Sequence, residues 1–263
     1  MTERPRLYAA EGLVLRRRPI GEADALFSVL TAAHGRFVAV ARGIRKPRSR
    51  MRGHLEPFTY SRLLLARGRT FDVFTQVETI RSFPRLQRDL VPQAAALYAA
   101  ELIERMIPER EPANEPLELA LAVLEALDEG ELGALRWFEV RLLQQAGFGL
   151  QLDACARCGG ELGGAPPFFA AEAGGLLCER CRRLGMAGLL LSDEAVRVAR
   201  AAERRSLRQY LALRRPAEAE AQLGRALHAA YRHHLEAEPA TLRYLEDVLV
   251  LEQRRPRASA PGV

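Results

Sequence analysis

The chain has 263 residues, of which 48% are hydrophobic, so it can bury a sizeable core and is long enough for two domains. Its formal net charge of +6 is unevenly distributed, because residues 1–90 hold 18 basic and 8 acidic side chains whereas the remainder holds 21 and 25. Such a localised basic field favours an anionic partner, either nucleic acid or a lipid surface. The sequence has no signal-peptide core and no uncharged apolar run of about 20 residues, so we expect a cytoplasmic protein without a membrane partner.

The first 83 residues predict a small β-barrel. Five strand-like segments follow one another, with turn residues at Gly21, at 34–35 and at 66–68. The segments are YAAEGLVLRRR, DALFSVLT, RFVAVARG, EPFTYSRLLLA and TFDVFTQVETI. Five short strands in so short a stretch indicate an OB-fold, although an SH3-like barrel fits the pattern almost as well.

After Phe83 the pattern changes to Leu and Ala at helical spacing, which predicts a helical domain over residues 84–263. Five apolar stripes mark its helices: Tyr98, Leu102 and Met106; Leu117, Leu121 and Leu124; Leu135, Phe138 and Leu142; Leu223, Leu227 and Tyr231; Leu242, Leu245 and Leu249. Ser192 is the predicted N-cap of a further helix that extends to about Tyr210. The C-terminal segment RRPRASAPGV predicts disorder. The fold class is therefore α+β.

Four cysteines form two Cys-x-x-Cys pairs, Cys155 with Cys158 and Cys178 with Cys181. A separation of 19 residues between the pairs lets four thiolates surround one ion, and Zn²⁺ is the usual ion in such structural sites. The segment FFAAEAGGLLC predicts a short hairpin that leads into the second pair. We therefore predict one structural Zn²⁺ per chain in a zinc-ribbon-like module over residues 150–188. Two disulfides or free thiols are the alternatives.

The segment ARGIRKPRSRMRGH, residues 41–54, joins the third and fourth predicted strands and carries six cations without an acidic side chain. The cations are Arg42, Arg45, Lys46, Arg48, Arg50 and Arg52. A flexible loop can lay such side chains along a sugar-phosphate backbone, where each one releases condensed counterions. Arg16, Arg17, Arg18 and Arg36 are predicted to add to this field. The alternative is a solvated loop whose charge only aids solubility.

Phe74 is a predicted base-stacking side chain, because strand alternation places it on the polar face with Asp72, Gln76 and Glu78. Packing beneath a loop is the alternative for this residue. Catalytic motifs are absent from the sequence, which contains no P-loop, no His-Glu-x-x-His and no Gly-x-Ser-x-Gly. We therefore expect no catalytic residue and no enzyme activity.

Three segments, in this order, carry a resemblance to a known family. They are YAAEGLVLRRRPIGEADALFSVLTAAHGR, then ARGIRKPRSRMRGHLEPF, and finally LLQQAGFGLQLDACARCGG ahead of the second cysteine pair. Together they resemble the RecO family of bacterial recombination mediator proteins. The resemblance covers nearly the whole chain except its extreme termini. Its strongest parts are residues 43–50, which lead into Leu-Glu-Pro-Phe at 55–58, and residues 142–158.

The resemblance implies an N-terminal OB-fold, a helical domain and a zinc module. It also implies a DNA repair and recombination mediator that binds single- and double-stranded DNA and anneals complementary strands. With RecR, such a protein helps to load RecA at gaps coated by single-stranded-DNA-binding protein, which places it at the nucleoid. This chain departs from the family in the segment at residues 41–54, whose cations are all Arg except Lys46. The alternative function is an RNA-binding or partner-docking scaffold without annealing activity.

Overall fold

The N-terminal third forms a closed five-stranded barrel in the computed structural model, which describes residues 6–164 and 166–254. Its strands are β1 (Leu7–Ile20), β2 (Asp24–Thr31), β3 (Gly35–Ala41), β4 (Thr59–Ala66) and β5 (Asp72–Ser82). The strand order is β1-β2-β3-β5-β4, with β1 closing against β4. All neighbours are antiparallel except β3 and β5, which are parallel. This arrangement is an OB-fold rather than an SH3-like barrel, and the five predicted strands are confirmed.

Alternating apolar side chains of the strands fill the interior of the barrel. Phe27, Phe37 and Leu65 are fully buried there. The two-residue period of a strand places their neighbours on the outer surface. Ile44 and Leu55, from the segment between β3 and β4, are also buried in this interior.

Seven α-helices follow the barrel in the described part of the chain. They are α1 (Leu90–Met106), α2 (Asn114–Glu129), α3 (Ala134–Gln145), α4 (Asp193–Arg204), α5 (Leu207–Leu211), α6 (Ala217–Leu235) and α7 (Ala240–Arg254). The five predicted apolar stripes lie in α1, α2, α3, α6 and α7, and most of their residues are buried in one core. No helix of the described residues has the length and apolar character needed to cross a membrane.

The prediction that Ser192 caps a helix is confirmed, since its side chain accepts a hydrogen bond from the Ala195 amide at 3.2 Å. The predicted end of this helix near Tyr210 is wrong, because α4 stops at Arg204. Ser206 begins the separate helix α5 with a reciprocal capping box. Arg254, the first residue of the C-terminal segment predicted to be disordered, ends α7, and the rest of that segment lies outside the described residues.

The barrel and the helices share a continuous apolar core. Leu13, Leu15 and Leu30 belong to the cluster that fills the helical region, not to the barrel interior. The chain between α1 and α2 then runs beside β3: the Arg110 amide donates to the Arg36 carbonyl at 2.9 Å, and the Ala113 amide donates to the Ala32 carbonyl at 2.8 Å. The outer face near the start of β3 is therefore covered by the protein itself.

A small sheet between α3 and α4 carries the cysteines. Its strands are β6 (Phe168–Ala170), β7 (Gly175–Leu177) and β8 (Leu189–Leu190), in the order β7-β6-β8. The antiparallel β6–β7 hairpin confirms the predicted one, with Gly174 at a φ of 69° in its turn. Gln151 joins this sheet to the end of α3 through hydrogen bonds with the Gly174 carbonyl and the Leu176 amide.

Candidate nucleic-acid interface and metal centre

The basic loop, which we define as residues 42–58 between β3 and β4, has a fixed base. The Gly43 amide donates to Asp24 Oδ1 at 2.7 Å, and the Arg45 amide donates to the Ala23 carbonyl at 2.9 Å. The Arg45 guanidinium also donates to the Gly21 carbonyl at 2.9 Å. These bonds tie the first part of the loop, including Arg45, to the β1–β2 turn.

The cations of the basic loop point to solvent without acidic partners. All six of the predicted loop cations are exposed: Arg42, Arg45, Lys46, Arg48, Arg50 and Arg52. In the described part of the chain, none of them lies within 4.0 Å of a carboxylate oxygen, and the same is true of Arg18 at the end of β1. Like charges gathered in this way repel one another, and their combined positive potential attracts a polyanion.

Two predicted cations of β1 are paired with carboxylates. Arg16 Nε lies 3.0 Å from Glu104 of α1, and Arg17 Nη1 lies 3.0 Å from Glu56 in the basic loop. Arg17 also lies over the Phe27 ring, at 5.9 Å from its centroid. The pairs neutralise part of the positive field beside the basic loop.

Arg36 has a structural environment that the sequence did not suggest. Its side chain is 14% exposed, pairs with Glu109 at 2.9 Å and donates to the Ile107 carbonyl at 3.1 Å. Both partners belong to the segment between α1 and α2. The structure thus places Arg36 in the contact between barrel and helices, where its charge is paired, so it adds no unpaired cation to the predicted positive field.

The predicted exposure of Phe74 is wrong. Its side chain is 3% exposed and meets the Phe27 ring edge-on in the barrel interior, with 5.8 Å between ring centroids. The pairing of β4 with β5 passes from Leu65–Phe74 to Leu64–Gln76, so Thr75 is an extra residue in a β-bulge. A bulge interrupts the two-residue alternation, and therefore Phe74 and Gln76 do not share a face.

Phe71 is an exposed aromatic residue of the barrel domain, and it was not among the predicted site residues. It is 38% exposed in the β4–β5 loop, which we define as residues 67–71. Arg67 and Arg69 lie in the same loop and are exposed. The signal was present in the sequence as Arg-Gly-Arg-Thr-Phe, a turn that combines two cations with an aromatic side chain.

The four cysteines come together in one cluster that could hold a metal ion. Their sulfur atoms all lie within 4.8 Å of one another, and the sulfur atoms of Cys158 and Cys178 are 3.8 Å apart. Metal–sulfur bonds of about 2.3 Å in a tetrahedron require sulfur atoms about 3.8 Å apart, so the donor set fits an ion such as Zn²⁺. Four protein ligands would leave no open position for a substrate.

Backbone groups around the cluster prepare it for thiolate ligands. Burial opposes the charged form of Cys155, but backbone amides of Cys178, Cys158 and Arg157 donate to its sulfur and lower the pKa of Cys155 to about 6. Hydrogen bonds with the other sulfur atoms, first with Cys158, raise the pKa of Cys181. A first thiolate therefore forms readily, whereas the full set of four requires a cation to offset their repulsion.

Two family models together match most of the chain. The one described as "Recombination protein O N terminal" matches residues 5–83, and the one described as "Recombination protein O C terminal" matches residues 87–243. The chain belongs to the recombination protein O family. The resemblance drawn from the sequence is thus confirmed.

Three curated members of the recombination protein O family match this chain over 87% or more of their length. The chain is 38% identical to the DNA repair protein RecO of Roseiflexus sp. (strain RS-1), over 93% of this chain and 87% of the relative. It is 34% identical to the DNA repair protein RecO of Dehalococcoides mccartyi (strain CBDB1), over 93% and 97%. With the DNA repair protein RecO of Anaeromyxobacter sp. (strain K) it shares 38% identity, over 90% and 95%.

Proposed function

We propose that this chain is a DNA repair and recombination mediator that binds single- and double-stranded DNA through the basic loop and anneals complementary strands. One observation carries the proposal: six exposed cations lie together on an OB-fold without a carboxylate within 4.0 Å among the described residues. Arg supplies five of them, and its planar fork of donors matches phosphate oxygens. The relatives named DNA repair protein RecO support the same conclusion.

The mechanism is electrostatic and needs no covalent chemistry. Cations of the basic loop neutralise phosphates on two strands at once, which lowers the repulsion between the strands and lets base pairing proceed. Arg18 extends this surface, and the paired Arg16 and Arg17 contribute less. If five to seven cations engage single-stranded DNA, the slope of log affinity against log salt is about −4 to −5. A slope near zero would remove the electrostatic mechanism.

Within the cell we propose action in the cytoplasm, at the nucleoid, together with RecR and single-stranded-DNA-binding protein, so that RecA can load at coated gaps. Residues 1–83 would bind DNA, and residues 84–263 would provide docking surfaces for the protein partners. The two family models match the chain on either side of the same boundary, over residues 5–83 and 87–243. The zinc module at residues 150–188 would shape the second unit.

A charge-reversal experiment tests the role of the basic loop. We expect the fourfold variant Arg45→Glu, Lys46→Glu, Arg48→Glu and Arg50→Glu to weaken binding of single-stranded DNA at least about 100-fold at low salt and to abolish annealing. The thermal unfolding midpoint should change little, because these side chains are exposed. Fluorescence anisotropy with a labelled oligonucleotide measures the affinity.

The matched control carries the same change in net charge in the helical domain. It replaces four exposed arginines by Glu, namely Arg208, Arg214, Arg225 and Arg243. This variant should retain most of the binding, since its substitutions lie outside the barrel. Equal losses in the two variants would show that binding depends on overall charge rather than on the basic loop.

Competition between nucleic acids separates the proposal from an RNA-binding scaffold. Equal lengths of RNA and DNA should compete with a preference for DNA, and the wild-type chain should accelerate annealing of two complementary DNA strands. Tight RNA binding without acceleration of annealing would favour the scaffold instead.

We also propose that the cysteine cluster holds one Zn²⁺ per chain with a structural role. Cys155, Cys158, Cys178 and Cys181 would be the ligands, and the ion would supply the positive charge that keeps four thiolates together. Elemental analysis should find about one zinc per chain, lost in the double variant Cys155→Ser and Cys178→Ser. The control Ala156→Ser, inside the first pair, should keep its metal; zinc loss in both variants, or none in either, contradicts this assignment.

A further inference from the structure

We propose that the β4–β5 loop is a second contact for single-stranded DNA, in which Phe71 stacks on a base while Arg67 and Arg69 hold neighbouring phosphates. The inference rests on the proposed DNA-binding function and deepens it. Phe71 is 38% exposed, whereas the aromatic side chains of the barrel interior, Phe27, Phe37 and Phe74, are at most 3% exposed. An aromatic ring held at the surface beside cations is the usual platform for an unpaired base.

The β4–β5 loop is preformed by the buried carboxylate of Asp72. That carboxylate accepts hydrogen bonds from the Tyr8 hydroxyl at 2.6 Å, from Arg110 Nη1 at 2.9 Å and from the Gly68 amide at 3.3 Å. A Cβ atom at Gly68 would lie 1.9 Å from the Phe71 carbonyl oxygen, so only glycine permits this tight turn. The loop therefore presents Phe71 in a defined place, which limits the entropy lost on binding.

The charge beside Phe71 is positive. Arg67 lies over the Tyr8 ring at 4.7 Å from its centroid, and neither Arg67 nor Arg69 has a carboxylate within 4.0 Å among the described residues. Arg67 and Arg110 line a cavity of about 500 Å³ with His34, Gly68 and Asp72. Since Arg110 is matched by Asp72, Arg67 and Arg69 supply the unbalanced charge that attracts a phosphate.

The β4–β5 loop leads into β5 beside the second half of β3. Asp72, directly after Phe71, pairs with Ala39, whereas the basic loop begins three residues further along the chain, at Arg42. Three residues of a strand span about 10 Å. The two loops can therefore engage one strand, within the about 4–16 nucleotides that an OB-fold contacts.

Two substitutions at Phe71 test the inference on the full chain with an oligo(dT) probe. We expect Phe71→Ala to weaken binding at least about fivefold, since one base-stacking contact is lost. The matched control is Ile80→Ala, which removes another exposed apolar side chain of the barrel, 44% exposed on β5, and should leave the affinity unchanged. Phe71→Trp should retain the affinity, and its added fluorescence should be quenched by the oligonucleotide, because the natural Trp137 is buried.

Replacement of Arg69 by Gln should reduce the magnitude of the salt slope by about 0.7. Wild-type affinity in Phe71→Ala, together with an unquenched Phe71→Trp, would overturn the second contact while DNA binding by the basic loop stands. A wild-type chain that does not bind oligo(dT) in dilute buffer would overturn the proposed function and this inference together. The two failures are thus distinguishable.

Discussion

Arginine has opposite roles in the helical core and in the basic loop. In α3, Arg136 Nη1 lies 2.5 Å from Glu139 Oε2, and this fully buried carboxylate also accepts a hydrogen bond from the Tyr98 hydroxyl at 2.9 Å. Tyr231 donates to the backbone carbonyl of Glu139 at 2.8 Å. In the basic loop the guanidinium groups face water and have no such partners among the described residues.

The two environments differ in their access to water, and this access determines whether a charged side chain needs a partner in the protein. An ion buried without a partner costs several kcal/mol, so the pair between Arg136 and Glu139 must be complete for the fold to form. Burial raises the pKa of Glu139, and Arg136 opposes that shift. A loop cation is solvated and has no carboxylate within 4.0 Å among the described residues, so its charge remains available for a phosphate. The same residue type is therefore structural in one place and a candidate DNA contact in the other.

The comparison predicts its largest effect on stability at Arg136. We expect Arg136→Met to lower the free energy of unfolding by about 3–5 kcal/mol, because the buried Glu139 is then left with either an unpaired charge or a proton that it must take up on folding. The matched control is Arg197→Met, since Arg197 also pairs three residues away, with Glu194, but on the surface. Its cost should stay below about 1 kcal/mol. Urea denaturation measures both, and similar costs in the two variants would contradict the importance of burial.

The buried network also predicts a pH dependence. Burial, with the charges of Arg136 and Arg232, lowers the pKa of His228 to about 3. The unfolded chain binds this proton near pH 6.5, whereas the folded chain does not, so stability is lost as the pH falls from about 6.5 towards 3. Between pH 7 and pH 5 the loss at this residue is about 2 kcal/mol.

The variant His228→Gln should lack this part of the acid destabilisation, as measured by urea denaturation at pH 7 and pH 5. The control His233→Gln alters an exposed histidine of the same helix and should keep it. An unchanged pH dependence in His228→Gln would show that the imidazole remains accessible to protons.

The smallest effect on stability is expected within the basic loop itself. Arg48→Gln should change the free energy of unfolding by less than about 0.5 kcal/mol, yet reduce the magnitude of the salt slope for single-stranded DNA by about 0.7. Arg16→Gln removes a cation that already pairs with Glu104, so its slope should change less while up to about 1 kcal/mol of stability is lost. Identical salt slopes for the two variants would show that paired and unpaired cations contribute equally to DNA binding.

Local patterns in the sequence were sufficient for much of the fold. The five strands, the helical stripes, the N-cap at Ser192 and the cysteine cluster each depend on residues close in sequence or on a fixed spacing. The choice between two barrel types was not local, because it depends on the parallel contact of β3 with β5, which joins Ala39 to Asp72.

The site predictions missed the position of a side chain where it depends on one extra residue in a strand or on a partner distant in sequence. Because of the bulge at Thr75, Phe74 faces the barrel interior and not the outer face of Gln76, with which it was expected to lie. The residue types in β5 do not indicate that a bulge is present. Arg36 pairs with a residue 73 positions away, which local reading cannot find. The turn residues around Phe71 could have predicted that it is exposed. The structure shows that Phe71 is exposed whereas Phe74 is buried.

The apolar outer surface of β1 and β2 has a practical consequence for dissection of the molecule. Leu13, Leu15 and Leu30 pack into the helical core, so a truncated fragment that ends at residue 83 would expose them to water. Such a fragment would tend to self-associate through that surface, and its behaviour with DNA would reflect the aggregate. The helices therefore keep the barrel soluble by covering this apolar surface.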